Sequence, residues 1–220
     1  MNLDTAREVA AKFFSKSGDI KELAGERNPN FLVTTTHGKF VLKIHSSEEV
    51  SQIQIQQSAL AALEQVDKFQ TPTTVPADSG ELLVDIGEGR FARMLTWIDG
   101  DLWSQSQDLG ERHKSQLGRL IATVDSKLAT VDCTNFRTTL DQPFGWNALQ
   151  AKKLISDIAL IQDAELRAQV STIFDRITNR TLAKVLALPH QLIHNDANDN
   201  NVVVSKGAVS GLIDFGDLIY

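Results

Sequence analysis

Apolar residues at helical spacing open the chain. Leu3, Ala6, Val9, Ala10, Phe13 and Phe14 share one face and Gly18 stops the pattern, so the spacing predicts a helix over residues 3–16. The period then shortens. Strand-like runs fall at about 20–24, 31–36 and 39–44, with a loop from Gly25 to Asn30 after the first and a tight His37-Gly38 turn before the third. Ser46-Ser47-Glu48-Glu49 reads as a helix start, with a hydroxyl cap and early acids that suit the helix dipole, and that helix runs to about Val66. A Pro-bearing connector, Thr71 to Thr74, leads to a hairpin of residues 81–86 and 90–98 around Gly87-Glu88-Gly89. From about 106 to 187 the pattern is helical. Its stripes are Leu117, Leu120, Ile121, Val124 and Leu128, then Leu154, Ile155, Ile158 and Ile161, then Val170, Ile173, Phe174 and Ile177. Two last runs, Val202 to Val204 and Val209 to Ile213, read as strands joined by Ser205-Lys206-Gly207. The order predicts an α+β chain of two lobes meeting near residue 99: residues 1–99 with an antiparallel sheet plus helix, and residues 100–220 mainly helical.

The bulk properties exclude more than they select. With 42% hydrophobic and 23% charged residues the chain reads as an ordinary soluble protein, and a net charge of −6 argues against nucleic acid as its main partner. The lone Cys133 excludes an internal disulfide and fits a reducing compartment, so a cytoplasmic location is expected. The N-terminus carries Asp4 and Glu8 and no apolar core segment, so it is not a signal peptide. No run approaches the roughly 18 apolar residues that span a membrane.

The chemistry concentrates in LIHNDANDNNVVVSKGAVSGLIDFGDLIY. Clusters of Asn and Asp usually cap and turn the backbone. An EF-hand reading fails, because Asn201 stands at the sharp-turn position and Gly207 where a bidentate acid is required. The protein-kinase catalytic loop, H-R-D-x-x-x-x-N, survives: His194-Asn195-Asp196 is followed by Asn201 at the required offset, and Asp214-Phe215-Gly216 supplies the second metal-binding signature across a hairpin. Asp196 then accepts the proton of a substrate hydroxyl, Asn201 and Asp214 hold Mg²⁺, and His194 braces the loop rather than titrating.

Upstream, Lys43 in the third strand is the expected phosphate contact. Gln56 falls on the buried face of the next helix with Ile53, Leu60 and Leu63, and is expected to meet Lys43 where a protein kinase has a Glu; Gln57 is a rival by spacing. Arg27, in a loop that is not G-x-G-x-x-G, reads equally as a phosphate contact or a surface residue. Thr96 and Ile98 offer backbone groups to an adenine edge, or simply end a strand.

Together these residues resemble the aminoglycoside phosphotransferase and choline kinase-like family. LAGERNPNFLV and LIHNDANDNNVVV look most like hydroxylysine kinases, and equally like phosphotransferase domains fused ahead of class III aminotransferase-like enzymes. The resemblance implies a two-lobed protein-kinase-like fold and an ATP- and Mg²⁺-dependent transfer to the hydroxyl of a small amino alcohol or hydroxylated amino acid. Residue by residue it implies Asp196 as base, Asn201 and Asp214 as metal ligands, Lys43 on the α- and β-phosphates, hinge contacts near Thr96 and Ile98, and Gln56 at the position of the helix glutamate. Asn195 stands where many relatives have Gly. Members continue with further helices that build much of the acceptor pocket, whereas this chain stops six residues after Asp214. An incomplete C-terminal lobe, exposed apolar surface and self-association are therefore expected. The alternative is a nucleotide-binding or regulatory module of a larger multidomain enzyme, with little turnover of its own.

Overall fold

A computed structural model describes residues 1–25, 28–64, 66, 68–142 and 144–220. Helix α1 (Leu3–Phe14) is capped by Asn2, whose side chain accepts from the Thr5 N–H at 2.9 Å. Strands β1 (Asp19–Leu23), β2 (Asn30–Thr35) and β3 (Gly38–Ser46) follow as an antiparallel meander. Helix α2 (Val50–Leu63) begins after a 3₁₀ turn, where the Glu49 carboxylate accepts from the Ser46 N–H at 2.8 Å. Strands β4 (Thr74–Val75), β5 (Val84–Gly87) and β6 (Arg90–Thr96) complete the sheet in the order β1-β2-β3-β6, with β4 and β5 both pairing β6.

Alternation along β3 and β6 divides this sheet into two chemically different faces. Leu42, Ile44, Ala92 and Met94 pack with Ala6, Val9, Ala10 and Phe14 of α1. Lys43, His45 and Arg93 necessarily lie on the opposite side, and the register sets Lys43 directly across from Arg93.

Strand β7 (Asp101–Leu102) joins β8 (Val202–Ser205) and β9 (Ala208–Leu212) in a second antiparallel sheet. The β8–β9 turn has positive φ at Lys206 and Gly207, at 52° and 71°, the primed-turn conformation that matches strand twist. Helix α3 (Glu111–Leu128) buries Leu120, Val124 and Leu128 against this sheet and α2, which shares the core through Ile55, Ala59, Leu60 and Leu63. Gln70, in the connector after α2, is stitched into β9: its N–H donates to Ser210 O at 2.8 Å and its carbonyl accepts from Leu212 N–H at 3.0 Å. A Cβ on Gly211 would lie 2.6 Å from Gln70 O, so this crossing requires glycine.

The region between α3 and β8 departs from the sequence expectation. Helix α4 (Arg137–Leu140) is a single turn and Ala148–Leu160 winds as consecutive 3₁₀ turns, whereas α5 (Ala164–Arg176) continues through a π turn, Ile177–Thr181, into α6 (Leu182–Leu186) as the helical pattern predicts. The predicted stripes there are not buried. Leu154, Ile155, Ile173 and Ile177 are exposed, because no described element packs over them. Periodicity reports an apolar face, and only a partner makes it a core.

Candidate active site

The β8–β9 hairpin and the loop before it bring the predicted residues together. Ile213 N–H donates to Asn201 O at 2.8 Å, which sets Asn201 beside the chain segment that carries Asp214. Asn201 Nδ2 donates to Asp196 twice, to the carboxylate Oδ2 and to the main-chain carbonyl, each at 2.8 Å. Asn198 Nδ2 donates to the other carboxylate oxygen, also at 2.8 Å. The sequence reading missed Asn198. An Asn two residues after the Asp is the signal, since Asx side chains commonly bond that close along the chain.

His194 is buried and neutral. Its Nε2–H donates to Ile213 O at 3.0 Å and its Nδ1 accepts the Asp196 N–H at 3.2 Å, which fixes one tautomer. Burial pushes its pKa below the ordinary imidazole value, and contacts with Ile213, Asp214 and Asp196 only partly offset that. The ring stands edge-on to Phe215, 4.6 Å between centroids, so His194 ties the catalytic loop to the Asp-Phe-Gly segment. Asn195 takes a left-handed φ of 66°, which explains a glycine preference at this position; Asn is the side chain that tolerates it best. From outside the loop, Ser104 N–H donates to Asp199 O at 2.9 Å and Ser104 Oγ to Asn200 Oδ1 at 2.8 Å.

Lys43 Nζ meets Asp214 Oδ1 at 3.1 Å. Burial works to raise the Asp214 pKa. The Lys43 ammonium and its hydrogen bond, the Arg93 charge and the Gly216 N–H outweigh it and hold the carboxyl below the usual range. A Cβ on Gly216 would lie 3.1 Å from Asp214 Oδ1, a tight contact that would press on this carboxylate. The donor set fits a hard cation. With both amide N–H bonds of Asn201 spent on Asp196, its Oδ1 is left as an acceptor, and Asp214, two residues on from Leu212 in β9, is ionised. Among the described residues no group of three or more His, Cys, Asp or Glu could hold a metal. Two such donors suit a cation that takes its other ligands from phosphate and water.

Gln56 is buried, as its helical phase required, but it does not meet Lys43. Its Oε1 accepts from Arg93 Nη2, because Arg93 lies deeper on the same sheet face while Lys43 reaches out to Asp214. The link from α2 to the Asp-Phe-Gly segment is instead Gln52, whose Nε2 donates to Gly216 O at 3.1 Å. Of the two hinge positions, Thr96 has its N–H committed to Thr73 O at 2.9 Å, whereas the Ile98 N–H has no partner among the described residues. Arg27 lies outside the described residues.

Residues 19–220 match the phosphotransferase enzyme family. This chain belongs to that family. It is 25% identical over 193 residues to the homoserine kinase of Bartonella tribocorum, covering 87% of this chain, and it spans 56% of the length of that curated relative. The fold superposes on a ternary complex of streptomycin, ATP and APH(2'')-IIa with a TM-score of 0.62 and 23% identity, over 100% of this chain and 72% of that one. It also superposes on the spectinomycin phosphotransferase APH(9)-Ia with ADP and spectinomycin, with a TM-score of 0.59 and 12% identity, over 100% and 70% of the two chains. At those identities the likeness establishes the α+β kinase-like fold. No described helix of this family member is long and apolar enough to cross a membrane.

Proposed function

We propose that this chain carries the nucleotide-binding and phosphoryl-transfer site of an ATP-dependent, cytoplasmic phosphotransferase whose acceptor is the hydroxyl of a small amino alcohol or hydroxylated amino acid. The observation that carries the reading is the double hydrogen bond from Asn201 to Asp196, with Asp214 held ionised by Lys43 alongside. In this reading residues 1–99 bind nucleotide and residues 100–220 supply the catalytic loop. The named substrate of the curated relative, homoserine, is itself a hydroxyl-bearing amino acid, which favours that acceptor class.

The geometry supports the following roles. Asp196, oriented by Asn198 and Asn201, accepts the proton of the acceptor hydroxyl. The freed oxygen attacks the γ-phosphorus and the bond to the β-phosphate oxygen breaks, releasing ADP. Lys43 contacts the α- and β-phosphates, and the Ile98 N–H is the hinge donor open to the adenine edge. Asn201 and Asp214 are the residues to hold Mg²⁺, which neutralises phosphate charge when bound.

The exposed apolar residues Leu154, Ile155, Leu160 and Leu188 favour a second reading, a nucleotide-binding module that packs against further protein in a larger enzyme. One experiment separates the two. Mg·ATP binding is measured by calorimetry, and ADP release is followed with homoserine, hydroxylysine, ethanolamine and choline. Binding with turnover of one acceptor supports the kinase, binding without turnover supports the module, and no binding at millimolar nucleotide overturns both.

A further inference from the structure

Arg93 is 3% exposed, and the mechanism above does not use it. Its Nε donates to His45 Nε2 at 3.2 Å and its Nη2 to Gln56 Oε1, while its Nη1 has no partner among the described residues. Neither partner is an anion. His45 must be neutral to accept, and burial, then the Arg93 charge, push its pKa down to about 3. The carboxylates of Asp214 and Glu49 act on Arg93 without touching it, Glu49 standing on the far side of His45 with its Oε1 3.7 Å from His45 Nδ1. A buried guanidinium held by neutral groups is costly, so its charge is retained for something other than local pairing. The register places it directly across from Lys43, one strand away on the same face.

Resting on the phosphotransferase reading, we infer that Arg93 is a positioning residue of the nucleotide site. Gln56 and His45 anchor it so that a second fixed positive charge stands behind Lys43 and faces the bound phosphates and Asp214. The identity of residue 56 then makes physical sense. A carboxylate there would anchor Arg93 equally well and cancel its charge. An amide anchors it and leaves the charge to act across the site. The helix residue thus serves the strand arginine, not the strand lysine.

The test is calorimetric Mg·ATP affinity of the 220-residue chain and its R93K, R93M and Q56E variants, each with its melting temperature. R93K keeps the charge and should bind within about threefold of the unmodified chain, whereas R93M and Q56E should bind about tenfold more weakly, a change expected from removing or neutralising one nearby charge. Q56E keeps a partner for Arg93, so it decides the matter even if R93M fails to fold. If residue 56 instead served Lys43, Q56E would bind Mg·ATP as tightly as the unmodified chain or more tightly, and that result overturns the inference. Weak binding by Q56E with an unchanged melting temperature sustains it. An unmodified chain that does not bind Mg·ATP overturns the phosphotransferase reading first, and this inference with it.

Discussion

Asn201 gives both of its side-chain hydrogen bonds to Asp196, one to the carboxylate and one to the main-chain carbonyl. One amide thus orients a carboxylate, while the main-chain carbonyl of the same residue accepts from the N–H of Ile213, the neighbour of Asp214. In the proposed mechanism the acceptor side and the phosphate side of the site share this single residue.

Asp196→Asn is expected to lower kcat by about 10²–10⁴-fold in the active enzyme while leaving nucleotide affinity nearly unchanged, since general-base contributions have that size. Steady-state kinetics beside calorimetry check it. A variant that keeps more than half of the original kcat removes Asp196 from the base role.

Mg²⁺ and nucleotide should bind together. Asn201 and Asp214 supply too few oxygens for a cation that prefers six, so titration with Mg²⁺ alone should give weak heats, and addition of ATP should tighten it. Nucleotide at about 100 times its dissociation constant adds about 2.7 kcal/mol, a rise of roughly 5–11 °C in melting temperature for a chain of this size. Tight Mg²⁺ binding without nucleotide would count against the assignment.

Acid should weaken the fold well above the carboxylate range. His45 is held at about 3 by burial and the Arg93 charge, and burial also depresses His194. The unfolded histidines take protons at about 6.5, so below that pH the unfolded state binds more protons and stability present above it is lost, by about 1.4 kcal/mol per pH unit for each fully differential histidine. Asp214, also depressed, adds to the loss only at lower pH, once unfolded carboxyls protonate. Urea midpoints between pH 7.5 and 4.5 measure the slope, and H45Q, which keeps an acceptor for Arg93, should flatten it. A slope identical in H45Q would mean that His45 titrates normally.

Asn195→Gly should leave stability within about 0.5 kcal/mol, because glycine is at ease at a φ of 66°, whereas Asn195→Val should cost about 1–2 kcal/mol. Thermal melts compare the pair. Equal melting temperatures for the two variants would contradict a left-handed residue 195.

The exposed apolar side of residues 146–188, with Trp146 at 71% and Leu160 at 74% exposure, should drive concentration-dependent self-association. Light scattering across a dilution series reads it, and Leu160→Lys with Ile155→Glu should reduce it. A monomer at every concentration would show that this surface is tolerated by water.

What could be read from the sequence was what short range decides. Asp196, Asn201 and Asp214 lie on one loop and hairpin, so their spacing fixes their meeting. The partner of Gln56 was not legible, because it depends on the β3–β6 register that sets Arg93 across from Lys43, a pairing of residues fifty positions apart. The availability of Thr96 depends likewise on Thr73 in a separate segment. The stripe at Leu154, Ile155, Ile158 and Ile161 was legible as apolar, but not how much of it is covered: Leu154 and Ile155 are exposed and Ile158 and Ile161 half-buried, since burial belongs to the neighbour as much as to the residue.

The stitching of Gln70 into β9 has a mechanical consequence. The N-terminal sheet and the helical part are joined by the chain at 96–100, by the Gln70 contacts to Ser210 and Leu212, by the Gln52–Gly216 hydrogen bond, and by α2, whose apolar face shares one core with α3 and β9. A joint fastened at one point can swing in any direction, whereas one fastened at several points along a seam resists both swing and slide. Lys43 and Asp214, which meet across that seam at 3.1 Å, are thereby kept in register, and the crossing at Gly211, which admits no side chain, is one of the fixed points that keeps them so.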